Sequence, residues 1–184
     1  ASLPESAAPS ASDSLSRMGR GPFLALFALS GAAALVYEVV WTRLLTLVVG
    51  HTVHAVSTVL AAFMGGLALG SWWSGRTSDR RRNPLAVYAV LEVGIAFFAL
   101  AVPWIFGRLD LVLGPLYRAL EGHFAVFSAV RFALCFVLFL IPTVLMGATL
   151  PLLAHAVAPG AQGIGGRIGR LYAINTLGAV AGCF

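Results

Sequence analysis

The chain has 184 residues, of which 59% are hydrophobic and only 10% charged. A soluble domain carries roughly 25% charged residues, so this composition excludes a soluble enzyme, a disordered chain and a coiled coil. The net charge is +5, but the basic residues flank apolar runs instead of forming a nucleic-acid-binding patch. The sequence predicts an integral membrane protein.

In chain order, residues 1–21 are rich in Ala, Ser and Pro without apolar periodicity, which predicts a disordered cytoplasmic tail. The remainder, residues 22–184, is predicted to be a transmembrane helical domain. About five spans are expected, because charge-free stretches such as 44–75 and 132–166 exceed the roughly 20 residues that cross a bilayer. The expected helices are Pro22–Val49, Thr52–Ser74, Pro84–Phe106, Ala125–Val157 and one that starts near Gly166.

Arginine counts in the connecting segments predict the orientation. Eight arginines lie in the tail, the 2–3 loop and the 4–5 loop, against two in the 3–4 loop. The positive-inside rule therefore places the N-terminus in the cytoplasm. The 3–4 loop alternates apolar and charged residues, which predicts an interfacial helix interrupted at Gly114–Pro115.

Ionisable and polar residues within the apolar stretches are candidates for function, since charges in a membrane are costly and usually face the bundle interior or a cavity. Glu38 is expected to face the bundle and to find a partner on another helix, with Glu92 and Arg131 as candidates. Five helical steps separate it from Arg43, too large a rotation for a pair on one helix. Asn175 is expected to bond across to another helix. The network is either a proton, cation or gating site or a structural ion-pair network.

Small residues four apart predict close helix packing, with dimerisation as the alternative. They are Gly66, Gly70, Gly178 and Gly182. In the fourth span, Pro142 and Pro151 are expected to kink or unwind the helix, either at a binding site or for packing alone.

The 2–3 loop GRTSDRRRN is either a latch or a positive-inside anchor, with Asp79 capping the start of the third span. No catalytic, metal or cofactor site is predicted: no nucleophile lies near a plausible His/Asp set, and the glycines of GAQGIGGRIG lack nucleotide-loop spacing. Cys135 and Cys183 are expected to be buried hydrophobes, and they leave the redox compartment undecided.

Five stretches, taken together, resemble a known family. They are SGAAALVYEVVWTRLL, AAFMGGLALGSWWSGRTSDRRRNPL, YAVLEVGIAFFAL, LMGATLPLL and GRIGRLYAINTLGAVAG. In this order they are similar to the N-terminal membrane region of bacterial fused proteins in which a major-facilitator-like helical domain precedes a spermidine-synthase-like domain. The 2–3 loop is similar to the general transporter signature at Gly75, Asp79 and Arg80 but departs from it at Arg82.

The resemblance implies a major-facilitator-like fold in the inner membrane and an N-terminal piece of a longer protein. The expected function is to anchor a C-terminal aminopropyltransferase-like domain or partner subunits and to handle a cationic polyamine, with Glu38 and Glu92 facing the cation. Aminopropyl transfer itself would need a soluble domain further along. Two alternatives stand beside this: half of a major-facilitator-like transporter, and an accessory structural subunit of a larger membrane complex.

Overall fold

The computed structural model describes residues 20–49, 53–78, 83–120, 122–157 and 164–184. Within these ranges the chain folds into helices and contains no strand, which confirms the all-α prediction. The helices are α1 (Arg20–Val49), α2 (Val53–Thr77), α3 (Pro84–Phe106), α4 (Asp110–Ala119), α5 (Phe124–Val157) and α6 (Ile164–Gly182).

Four of these helices, α1, α2, α3 and α5, are long and apolar enough to cross a membrane. The expected fifth span corresponds to α6, a helix of 19 residues that is not among the four. Its glycines, together with Arg170, Asn175 and Thr176, make it less apolar than the others. The described chain therefore has four candidate spans and one shorter, more polar helix packed beside them.

The start of α3 is capped by Asn83, whose side-chain oxygen accepts a hydrogen bond from the backbone N–H of Ala86 at 3.2 Å. Pro84 follows directly and occupies the first turn, where its missing N–H costs nothing. The asparagine next to the proline thus stands at the capping position of α3. Asp79, which is expected from the sequence to cap this helix, lies outside the described residues.

The connection between α3 and α5 contains α4, which runs unbroken from Asp110 to Ala119 with Pro115 inside it. The expected interruption at Gly114–Pro115 is therefore wrong. A single proline removes one backbone hydrogen bond, and here the carbonyl left without its donor belongs to Leu111, which is exposed. Asp110 in the first turn and Arg118 in the last turn both interact favourably with the helix dipole and so stabilise α4.

Both prolines of the fourth expected span lie within α5, which is continuous, so the helix is not unwound there. Pro151 cannot donate to the carbonyl of Gly147, four residues earlier. The Ser71 hydroxyl of α2 donates to that same carbonyl at 2.9 Å. A neighbouring helix thus supplies the hydrogen bond that the proline removes, as backbone groups in a bilayer require.

Helices α2 and α5 pack in parallel over several turns. A Cβ at Gly66 would overlap the Thr143 side chain, and a Cβ at Gly70 would overlap the Val144 carbonyl. Hydroxyl groups join the same face: Ser74 donates to the Ala148 carbonyl at 2.8 Å. Such close approach of two backbones is what small residues permit.

Helices α1 and α6 form a second parallel pair. A Cβ at Gly178 would overlap the carbonyl of Ala28, and a Cβ at Gly182 would overlap that of Ala32. Both positions advance by one turn in the same direction, so the two helices run the same way. The four glycines singled out in the sequence therefore lie at contacts within this chain.

A stack of aromatic rings crosses the bundle between three helices. Trp41 of α1 lies between Tyr37 and Phe139, with ring centroids 5.9 and 5.5 Å apart. Phe139 of α5 stacks in turn on Phe106 of α3 at 5.4 Å. Trp41 and Phe139 are almost completely buried, so this stack forms the centre of the larger hydrophobic core.

Candidate functional site

A cavity of about 150 Å³ lies at the meeting point of five helices. Each of α1, α2, α3, α5 and α6 contributes at least one lining residue, and most of the lining is apolar. The polar lining residues are Ser30, Tyr37, Glu92, Thr149 and Asn175. A mostly apolar cavity with a few convergent polar groups is the usual form of a small-molecule site.

Glu92 is the only acidic residue among those that line this cavity. It lies near the middle of α3, and the Ser30 hydroxyl of α1 donates a hydrogen bond of 2.7 Å to its Oε1 atom. Tyr88, one turn earlier on α3, also interacts with Glu92 and with Ser30. Two helices thus hold the carboxylate in place, but with neutral groups.

The opposite wall is built by close contact between α1 and α6. A Cβ at Gly31 would overlap the backbone oxygen of Asn175 and lie 2.8 Å from its Oδ1 atom. Because Gly31 has no side chain, the Asn175 amide reaches the cavity. Thr149 of α5 donates to the Met146 carbonyl at 2.7 Å, which leaves its oxygen lone pairs as acceptors.

The structure brings Glu92 and Asn175 together at the cavity but leaves Glu38, Arg43 and Arg131 outside it. Within the described residues Glu38 forms no hydrogen bond with Glu92 and no ion pair with Arg131. Distances along α1 explain this. Ser30, which holds Glu92, lies eight residues before Glu38, or about 12 Å along the helix axis.

Arg131 of α5 lies beside the C-terminal end of α1. Its Nη1 atom donates to the Val48 carbonyl at 3.4 Å, about 15 Å along α1 from Glu38. Its guanidinium lies 5.5 Å from the ring centroid of Phe127, and its Nε atom is buried without a hydrogen-bond partner. A positive group beside the last carbonyls of a helix is favourable, which assigns Arg131 to the end of α1.

The remaining sequence candidates lie away from the cavity. Gly75 is exposed in the last turn of α2, with open space around its Cα. Asp79, Arg80 and Arg82 lie outside the described residues. Nearby, the guanidinium of Arg76 stacks over the ring of exposed Trp72 at 4.2 Å.

Three polar residues that line the cavity were missed in the sequence, Ser30, Tyr37 and Thr149, as was Tyr88, which interacts with Glu92. Ser30 had the clearest signal, a small hydroxyl residue beside a glycine in the middle of an apolar run. Tyr88 stands four residues before Glu92, on the same helical face. No local pattern indicated that α1 would approach both α3 and α6 at this level.

Among the described residues no group of three or more His, Cys, Asp or Glu side chains is placed to hold a metal ion. Comparison with protein-family models, curated proteins and solved structures finds no match for this chain. The chemistry of the site follows from its own residues: one carboxylate, neutral oxygen acceptors and an apolar wall.

Proposed function

We propose that this chain is the membrane domain of a spermidine-synthase-like fusion protein and that it anchors the enzyme part to the inner membrane. The proposal combines the resemblance of the five sequence stretches with the way in which the helices pack. Two parallel, glycine-lined helix pairs give the domain a closely packed core to which another domain can be attached.

The pairing of the helices supports a major-facilitator-like arrangement. In a six-helix half of that fold, the first three helices and the next three are inverted repeats. Here α1, α2 and α3 correspond to the first repeat, and α5 and α6 to the first two helices of the second; the short α4 lies between the repeats. Exchanging the repeats would therefore exchange α1 with α5 and α2 with α6. This operation converts the α1·α6 pair into the α5·α2 pair, and both pairs are present with extensive contact.

The positions of the paired glycines also correspond when the two repeats are exchanged. In each pair it is the second helix of a repeat, α2 or α6, that carries two glycines four residues apart, at 66 and 70 or at 178 and 182. In each pair the partner is the first helix of the other repeat. This agreement carries the major-facilitator-like part of the proposal, because unrelated helices have no reason to repeat both partner and motif; the fusion to an enzyme part depends on the resemblance of the five sequence stretches.

The anchoring proposal is tested on the complete reading frame. We expect a strand-rich domain with a glycine-rich loop after Phe184, and aminopropyltransferase activity that sediments with membranes. Deleting residues 20–184 should release that activity into the soluble fraction. A frame without such a domain, or activity that is soluble with the helices intact, would contradict the proposal.

A transporter half is the second candidate, and the cavity around Glu92 favours it. A carboxylate held between α1 and α3 at mid-helix is the kind of group that marks a substrate or ion pathway. This candidate predicts a second set of about six spans further along the frame. Uptake or efflux in reconstituted vesicles, lost when the helices are unfolded, would distinguish it from an anchor.

A further inference from the structure

We infer that the cavity between α1, α2, α3, α5 and α6 binds a small primary ammonium compound whose charged group lies at Glu92 and whose alkyl part lies against the apolar wall. This binding does not depend on the anchoring proposal, because it follows from the cavity of this chain alone.

The charge of Glu92 favours a cationic ligand. Within the described residues no arginine pairs with Glu92, whose contacts are the neutral hydroxyls of Ser30 and Tyr88. An ionised carboxylate inside an apolar bundle is costly unless a cation or several hydrogen bonds compensate it. Ser30 donates to one carboxylate oxygen, Oε1, and Tyr88 also bonds to the carboxylate, but neither hydroxyl neutralises its charge, which a cationic ligand would do.

The hydrogen-bond donors of an ammonium group match the acceptors that line the cavity. An ammonium group has three donors and no acceptor. Around the cavity, the Glu92 carboxylate, the Ser30 oxygen and the Asn175 Oδ1 atom are acceptors. A metal ion fits this set poorly, because hard cations prefer six or more oxygen ligands, and most of this wall is carbon.

The size of the cavity favours a short alkyl chain. A cavity of about 150 Å³ admits a ligand the size of benzene, which has about six heavy atoms. Its apolar lining includes Ala34, Phe63, Ile95 and Met146, which suits a short alkyl chain. With a single carboxylate in the lining, a monoamine is matched in charge, whereas the second ammonium group of a diamine would be buried without a counter-charge.

The probe is n-pentylammonium, added to the purified chain in detergent and followed by the shift of the unfolding temperature and by calorimetry. We expect saturable binding of one molecule per chain. Uncharged 1-pentanol, which has the same size, and sodium ions should not compete. Spermidine, which is longer, should bind at least tenfold more weakly than n-pentylammonium.

Glu92→Gln and Glu38→Gln form the matched pair of variants. Glutamine at 92 retains an oxygen for the Ser30 hydrogen bond but removes the charge, so we expect at least a tenfold loss of affinity. Glu38 lies outside the cavity, so its variant should bind as the unmodified chain does. Ala34→Leu, which narrows the cavity with Glu92 intact, should also abolish binding.

Unfolding temperatures without ligand identify any variant that fails to fold, and Ala34→Leu then tests the site independently of Glu92. Equal affinity in Glu92→Gln and the unmodified chain would overturn the inference. So would competition by 1-pentanol or sodium, or the absence of saturable n-pentylammonium binding to the unmodified chain. None of these outcomes would affect the anchoring proposal, which is tested by the location of enzyme activity.

Discussion

At the scale of single residues, the most informative contact joins Ser71 to the carbonyl of Gly147. Pro151 removes the normal donor for that carbonyl, and the serine of the neighbouring helix replaces it at 2.9 Å. The hydrogen bond therefore repairs a defect in α5 and fixes the register of α2 against it. Such a bond stabilises by about 0.5–1.5 kcal/mol.

Ser71→Ala should lower the free energy of unfolding in mixed micelles by about 1 kcal/mol, because the Gly147 carbonyl loses its donor. Ser57→Ala is the control, since Ser57 is an exposed serine of the same helix. In a Pro151→Ala background, residue 151 regains its N–H and can donate to Gly147. The cost of Ser71→Ala should then be smaller; an equal cost in both backgrounds would contradict the replacement of one donor by the other.

The residue types alone predicted the loss of a backbone hydrogen bond in α5 but not its replacement by Ser71. The sequence predicts that Pro142 and Pro151 disturb the helix, because proline always removes a donor. It does not predict the compensation, since Ser71 and Gly147 are 76 residues apart and meet only when α2 and α5 pack in the observed register. Glu92 is similar. Its cost in a membrane is visible in the sequence, whereas the hydrogen bond from Ser30 and the presence of Asn175 in the same cavity arise only through tertiary packing.

At the scale of helices, glycine spacing decides which faces touch. The space for a Cβ at Gly178 is occupied by the carbonyl of Ala28, whereas Gly169 on the same helix has open space. The same substitution should therefore have opposite consequences at the two positions.

Gly178→Ala should lower the free energy of unfolding by about 1–3 kcal/mol, because backbone atoms of α1 must move to admit the methyl group. Gly169→Ala should be neutral or stabilising by up to about 1 kcal/mol, since alanine favours a helix. Chemical unfolding of both variants in the same detergent measures the difference. Equal effects would show that α6 does not pack against α1 at Gly178.

Helix positions could be predicted well because long apolar runs leave few alternatives in a bilayer. The expected third helix, Pro84–Phe106, has the bounds of α3. The errors arose where local signals compete. Gly114 and Pro115 are breakers in most contexts, but α4 tolerates them because a single proline costs only one hydrogen bond near an exposed side chain.

At the scale of the whole molecule, the order of the helices and the arginine counts together predict how the bundle is oriented in the membrane. Helix α3 crosses once between the end of α2 and the start of α4, so Arg76 and Arg118 should lie on opposite sides of the membrane. The arginine counts predict that the Arg76 side is cytoplasmic.

Single cysteines test the orientation in a background without Cys135 and Cys183. In intact cells, a membrane-impermeant maleimide should label the Arg118→Cys variant and not the Arg76→Cys variant. Both should be labelled once the cells are permeabilised, because both side chains are exposed. Labelling of Arg76→Cys from outside the intact cell would reverse the orientation.

The fold depends above all on α1 and α6 running in parallel within one bundle. Leu24 packs against the cluster that contains Leu171, whereas Val180 lies about 13 Å farther along α6. The most direct test is cross-linking with a short bifunctional maleimide in native membranes. Leu24→Cys should cross-link with Leu171→Cys and not with Val180→Cys; cross-linking to Val180→Cys alone would show that the two helices are not parallel.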